Sequence, residues 1–144
     1  MPIPPLQEDG FLPPGLYSAE MDEIEDRFGK STPRRRDLFI RLRLFVELAR
    51  HCGPARILVD GSFVSSKPEP GDVDVVIWLG VKYFELLKHD DGEAILLEEM
   101  FDKGEPGEAF LVETESQWNG WVDFFSQNRK RFKKRKGLVE INLT

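Results

Sequence analysis

The apolar positions of this 144-residue chain change period several times, and each change marks an element. Residues 1–15 hold five of the ten prolines and show little periodicity. They read as an extended arm that either lies on the domain or is partly disordered. A short helix is predicted from Ala19 to Phe28, capped by Ser18 and stopped by Gly29. Thr32 followed by Pro33 is a second helix start. The segment to Arg50 then places Leu38, Leu42, Phe45, Val46 and Ala49 on one face, and Gly53-Pro54 ends it.

Beyond that point short apolar runs alternate with helical stretches. Residues 55–60 read as a strand, Phe63 to Ser66 as a helical turn, and Pro68 to Gly71 as a loop. Val73 to Leu79 is apolar on both faces, which predicts a central strand covered on both sides. Val81 to Phe101 reads as helix, with a break near Asp90-Asp91-Gly92. Ala109 to Thr114 is a further strand, and Gln117 to Asn128 an amphipathic helix carrying Trp118, Trp121, Val122 and Phe125. Leu138 to Leu143 alternates as a last strand. Helices and short strands intermixed without a repeat give an α/β (α+β) class: a small mixed sheet flanked by helices. The expected organisation is the arm, 1–15, and one domain, 16–144.

Composition narrows the setting. No apolar run approaches the length of a membrane span, and no signal-peptide pattern opens the chain. Cys52 stands alone, so no disulfide framework is available within one chain. A cytoplasmic location is the expectation. The net charge of -6 argues against indiscriminate nucleic-acid binding by the whole surface. That charge is segregated: residues 17–26 and 85–108 are mostly acidic, and residues 129–136 almost wholly basic.

The chemistry concentrates in residues 60–79, DGSFVSSKPEPGDVDVVIWL. Asp72 and Asp74 stand one residue apart, so in a strand they share a face, about 6–7 Å apart along the backbone. Two carboxylates at the mouth of a buried strand call for neutralisation, and Mg²⁺ supplies it and brings phosphate. Gly61 allows close backbone approach, and Ser62 can open a helix whose N–H groups face an anion. Lys67 is within reach of such a phosphate, although an exposed loop lysine is the simpler reading. Asp60 reads as a structural residue, capping the turn or meeting a basic neighbour.

Gly61-Ser62, a linker from Phe63 to Gly71, then Asp72-Val73-Asp74 resembles the signature of the nucleotidyltransferase superfamily, the DNA polymerase beta-like fold. Leu12-Pro13-Pro14-Gly15, Arg35-Arg36, the stretch from Asp60 to Asp74, and Lys136 to Leu143 more closely resemble small bacterial proteins related to the minimal nucleotidyltransferases. The resemblance implies a nucleotidyltransferase-like fold and transfer of a nucleoside monophosphate from an NTP to an RNA, DNA or protein hydroxyl. It implies catalytic and Mg²⁺-binding roles for Asp72 and Asp74, and triphosphate binding by Gly61 and Ser62. It also implies a third carboxylate near the start of the strand Ala109 to Thr114. Glu108 and Glu113 are the candidates, and Glu108 is preferred for its position. A toxin–antitoxin or phage-defence setting, with a separate helical antitoxin-like partner, follows from the same likeness. The alternative is a non-catalytic descendant that binds nucleotide, nucleic acid or protein.

The second distinctive stretch is Arg129, Lys130, Arg131, Phe132, Lys133, Lys134, Arg135 and Lys136. It is a solvated linker, a loop that grips nucleic-acid phosphates with Phe132 stacking on a base, or a loop that neutralises the acidic face of its own or a partner domain. His51 and His89 lack ligand spacing and take no role. Trp118 and Trp121 read as core or interface rather than as a stacking platform.

Overall fold

The computed structural model describes residues 3–54, 56–127 and 134–143. Ten elements follow in order: β1 (Leu16–Ala19), α1 (Met21–Phe28), α2 (Pro33–His51), β2 (Arg56–Asp60), β3 (Asp74–Trp78), α3 (Val81–Lys88), α4 (Gly92–Lys103), β4 (Ala109–Val112), α5 (Glu115–Ser126) and β5 (Leu138–Ile141). The strands form one mixed sheet in the order β1-β5-β2-β3-β4. β2 runs antiparallel to β3 and β5, while β1–β5 and β3–β4 are parallel pairs. The α/β class expected from the pattern is the class observed.

Local chemistry explains the helix boundaries. The Thr32 hydroxyl accepts the Arg35 N–H, and Pro33 occupies the first turn of α2. All five residues predicted for its inner face are buried. Asp91 caps α4 by accepting the Ala94 N–H, which is why the long helical stretch breaks at 90–92. Thr114 caps α5, which starts at Glu115, two residues before the predicted start.

One expectation fails. Ser18 is not a helix cap: it lies in β1, which pairs in parallel with β5, and α1 starts two residues later than predicted, behind Glu20. Tyr17 and Ala19 face the core and Ser18 faces solvent, so the segment satisfies a strand pattern that only β5 can complete. The arm lies on the domain from residue 3 onward. Ile3 and Leu12 are buried, and the Arg27 guanidinium donates to the carbonyls of Ile3 and Pro4.

The sheet is covered unequally. On one face Ile57, Val59, Val75, Ile77, Val139 and Ile141 pack with α1 to α4 in a large core. On the other, Leu58, Val76, Val112 and Leu138 pack with Trp118 of α5. β3 is buried on both faces, as its sequence predicts, but β2 is the middle strand. Among the described residues no helix is long and apolar enough to cross a membrane.

Candidate functional site

The second face of the sheet carries a row of carboxylates. Asp60 ends β2 and stands opposite Asp74, the first residue of β3. Val75 pairs with Ala109, so Glu108 falls beside Asp74 on the third strand. Side-chain alternation turns Asp60, Asp74 and Glu108 toward the α5 side, in line with Leu58, Val76 and Phe110. Asp72 joins them from the loop that precedes β3. α5 covers the sheet only further along. A pocket of about 1060 Å³ remains, lined by all four carboxylates, by Ser62, Ser65, Ser66 and Lys67, and by Phe110, Trp121, Phe124 and Phe125.

The loop between β2 and β3 is held from α2. The buried Arg35 guanidinium donates to the carbonyls of Phe28, Phe63, Ser65 and Lys67. Arg34 donates to those of Pro70 and Gly71, and the Thr32 hydroxyl to that of Pro68. A planar fork of donors suits this task, which lysine would not perform. Gly61 has φ +87°, and a Cβ there would lie 3.0 Å from the Asp74 nitrogen. It is required by the crowding of its own loop against Asp72–Asp74. At Gly107 a Cβ would overlap the Val73 carbonyl oxygen, so glycine lets the lead-in to Glu108 press against β3.

Ser62 serves Asp72. Its N–H and hydroxyl both donate to Asp72 Oδ1, at 2.8 and 2.7 Å, and the same hydroxyl accepts the Gly71 N–H. The expected helix after Ser62 is absent. The Phe63 and Val64 N–H groups are turned inward to Asp72 and Gly61 carbonyls, closing a turn instead of facing an anion. Groups facing the pocket on this side include the Ser66 side chain and the exposed Lys67.

The carboxylates differ electrically. Burial pushes Asp74 up to about 7, helped by the charges of Asp72, Asp60 and Glu108. Burial is the strongest influence on Asp72 and raises it, but the two Ser62 donors, together with Asp74 and Lys136, hold that carboxyl below its ordinary value. The Asp72 and Asp74 carboxyls lie close enough to shift one another in opposite directions, Asp74 up and Asp72 down. Burial raises Asp60 to about 6 against the opposing pull of Lys136. Lys136 Nζ sits 3.0 and 2.9 Å from the two Asp60 oxygens, with Phe11 beneath it.

Of the predicted residues, Asp72, Asp74, Glu108, Gly61, Ser62, Lys67 and Lys136 line one pocket. Glu113 lies at the far end of β4, its N–H bound to Gln117, and is not among the lining residues. Lys136, read with the basic run as a phosphate contact, is instead engaged by Asp60. Arg135 pairs with Asp123 and donates to the Ser126 hydroxyl on α5, and Lys134 is exposed. Arg129, Lys130, Arg131 and Lys133 lie outside the described residues. Asp60 meets a basic neighbour, one of the two structural roles expected of it, and that neighbour is Lys136; the sequence gives no sign of Arg34. The Arg35-Arg36 phrase marked the helix start, but it gave no sign that Arg35 turns inward.

Among the described residues no three His, Cys, Asp or Glu side chains converge tightly enough to hold a metal ion. Asp72 and Asp74, lining the same pocket, are the two carboxylates that could hold a cation there. One or two carboxylates plus substrate oxygens and water is the usual Mg²⁺ arrangement.

No curated protein and no solved structure gives a significant match to this chain. The model of the family of unknown function DUF6932 matches residues 4–142, which takes in the arm, the clamped loop, the carboxylate row and β5, and the chain belongs to that family.

Proposed function

We propose that this protein is a Mg²⁺-dependent nucleotidyltransferase that binds an NTP at Asp72 and Asp74 and moves its nucleoside monophosphate to a hydroxyl acceptor. The observation that carries the reading is the convergence of Asp72, Asp74 and Glu108 on one pocket of nucleotide size. When bound there, Mg²⁺ would offset phosphate charge and make the acceptor hydroxyl more acidic. Ser62 fixes Asp72 in its ionised form, and Arg34 and Arg35 fix the loop that bears Ser62. Ser66 and Lys67 are placed to meet the triphosphate. The acceptor oxygen bonds to the α-phosphorus as the bond to the bridging oxygen of pyrophosphate breaks. Pyrophosphate leaves, and the hydroxyl proton passes to a carboxylate of the site.

A second reading, nucleotide binding without turnover, is favoured by the exposure of Glu108 and by the engagement of Asp60 with Lys136. A toxin–antitoxin or phage-defence role with a separate helical partner, in the cytoplasm, belongs to the first proposal. Calorimetric titration with ATP, GTP, CTP and UTP, with and without Mg²⁺, tests the site. Mg²⁺-dependent binding that Asp72→Ala and Asp74→Ala abolish supports both readings, and pyrophosphate release separates them. Absence of Mg²⁺-dependent binding at millimolar nucleotide overturns both.

A further inference from the structure

The strand order gives the pocket two unlike sides. β2 ends in the serine-bearing loop, β3 carries Asp74, and Glu108 immediately precedes β4. Moving across the sheet, the loop lies on one side of the Asp72–Asp74 pair and Glu108 on the other. Phe110 follows Glu108 on the same face. Its ring stacks on Trp121, 4.1 Å between centroids and 26° between planes, and Trp121 stacks in turn on Phe125 at 5.5 Å. Phe124 meets Trp121 edge-on at 5.7 Å and is 40 % exposed. All four rings line the pocket. Trp118, one turn earlier on α5, is buried in the small core, so the helix divides its tryptophans between packing and pocket.

Cationic chain is fastened to the same wall. Arg135 is bound to Asp123 and Ser126 on α5, and Lys136 lines the pocket. Aromatic rings with basic side chains at the same wall, here Arg135 and Lys136, are a combination that binds single-stranded nucleic acid: bases stack and phosphates are neutralised. In-line displacement sets the leaving pyrophosphate and the attacking hydroxyl on opposite sides of the phosphorus. With triphosphate on the Ser66–Lys67 side, the attacking group comes from the side of Glu108 and the rings.

We infer that the wall of Phe110, Trp121, Phe124 and Phe125 is an acceptor subsite, on which the terminal base of a single-stranded nucleic acid stacks and presents its sugar hydroxyl to the carboxylates. The inference rests on the nucleotidyltransferase reading for the placement of the hydroxyl. The stacking itself is measured without it.

The test uses the full chain and 5′-labelled single-stranded ten-mers of RNA and DNA, read by fluorescence anisotropy, each also made with an abasic 3′ end. Wild type should bind the complete strand about five- to a hundredfold more tightly than the abasic one. Trp121→Leu and Phe124→Ala should each erase most of that difference, while Trp121→Phe restores it. Mg²⁺–ATP affinity, measured by calorimetry on the same variants, should stay within about twofold. Phe124→Ala keeps the test open should Trp121→Leu fail to fold, because Phe124 is the most exposed ring of the wall. Equal affinity for complete and abasic strands, or no binding of either at low salt, overturns the inference. Loss of Mg²⁺–ATP binding in wild type with base-dependent strand binding retained would sink the transferase reading and leave the stacking wall standing.

Discussion

The two faces of the sheet do different work. The face under α1 to α4 is closed by large apolar side chains, and its one buried charge among the described residues, Arg35, is engaged by backbone carbonyls. The face under α5 has a small core at one end and carboxylates at the other. The large core and the carboxylate row are thus separated by the thickness of one sheet. β3 belongs to both: Val75 and Ile77 anchor it on the first face, while Asp74 and Val76 look to the second.

The largest effect should come from the closed face. Phe45, fully buried and edge-on to Phe101 at 5.6 Å, should cost about 3–5 kcal/mol when changed to alanine. The half-buried Phe125 on the open face should cost less than half as much. Urea unfolding of both variants compares the faces directly, and equal losses would dissolve the distinction.

Arg35→Met comes next. Methionine can fill the volume, but four carbonyls lose their donor, and the expected loss is about 2–4 kcal/mol. Amide exchange should quicken across residues 62–67 before it does elsewhere. Exposed Arg36→Ala should stay within about 0.5 kcal/mol. An Arg35 variant with unchanged loop exchange would mean that the clamp is not what holds Ser62 against Asp72.

The carboxylate row should show itself in pH dependence. Asp74 is raised to about 7 when folded, against 3.8 as a free side chain. Below pH 3.8 both states carry its proton. Between there and about 7 the unfolded chain has released the proton and the native state has kept it, so stability falls as pH rises, then levels off. Asp72, held low, acts in the opposite sense and loses its contribution only in acid. Asp74→Asn should therefore flatten the slope between pH 4 and 7 and raise the melting temperature of the metal-free protein above pH 7. Thermal melts across that range decide it, and an unchanged slope would place the titration elsewhere.

The smallest effect is expected at Arg135. Its pair with Asp123 is exposed on both sides, so Arg135→Ala should change stability by no more than about 1 kcal/mol. A larger loss would show that α5 depends on this tether for its seat on the sheet.

What the sequence made legible was mostly what local chemistry decides. Thr32-Pro33 marked α2, Asp91-Gly92 marked the break before α4, and the apolar run after Asp74 marked a strand buried on both sides. Asp72 and Asp74 were found because two carboxylates at strand spacing before such a run are costly. β1 was missed because its partner is β5, far along the chain, and no local pattern announces that pairing. Ser62 was read as a phosphate donor because a Gly-Ser turn offers free N–H groups. Asp72, ten residues on, takes both of its donors. The Asp60–Lys136 pair joins residues 76 positions apart and depends on how β5 returns beside β2.

That return has a consequence for the making of the protein. β5 is the last strand of the sheet to leave the ribosome, yet it lies between β1 and β2. Until it arrives, β1 has no neighbour, and Asp60 and Asp74 face each other across β2–β3 without Lys136. A nascent chain can pair β2 with β3 early, but it carries an unscreened couple of acids at the strand ends. The gap beside β2 is an open edge for that interval. Pairings this distant in sequence form slowly. The site is therefore the last part of the molecule to be finished, and the same strand that closes the sheet delivers its cation.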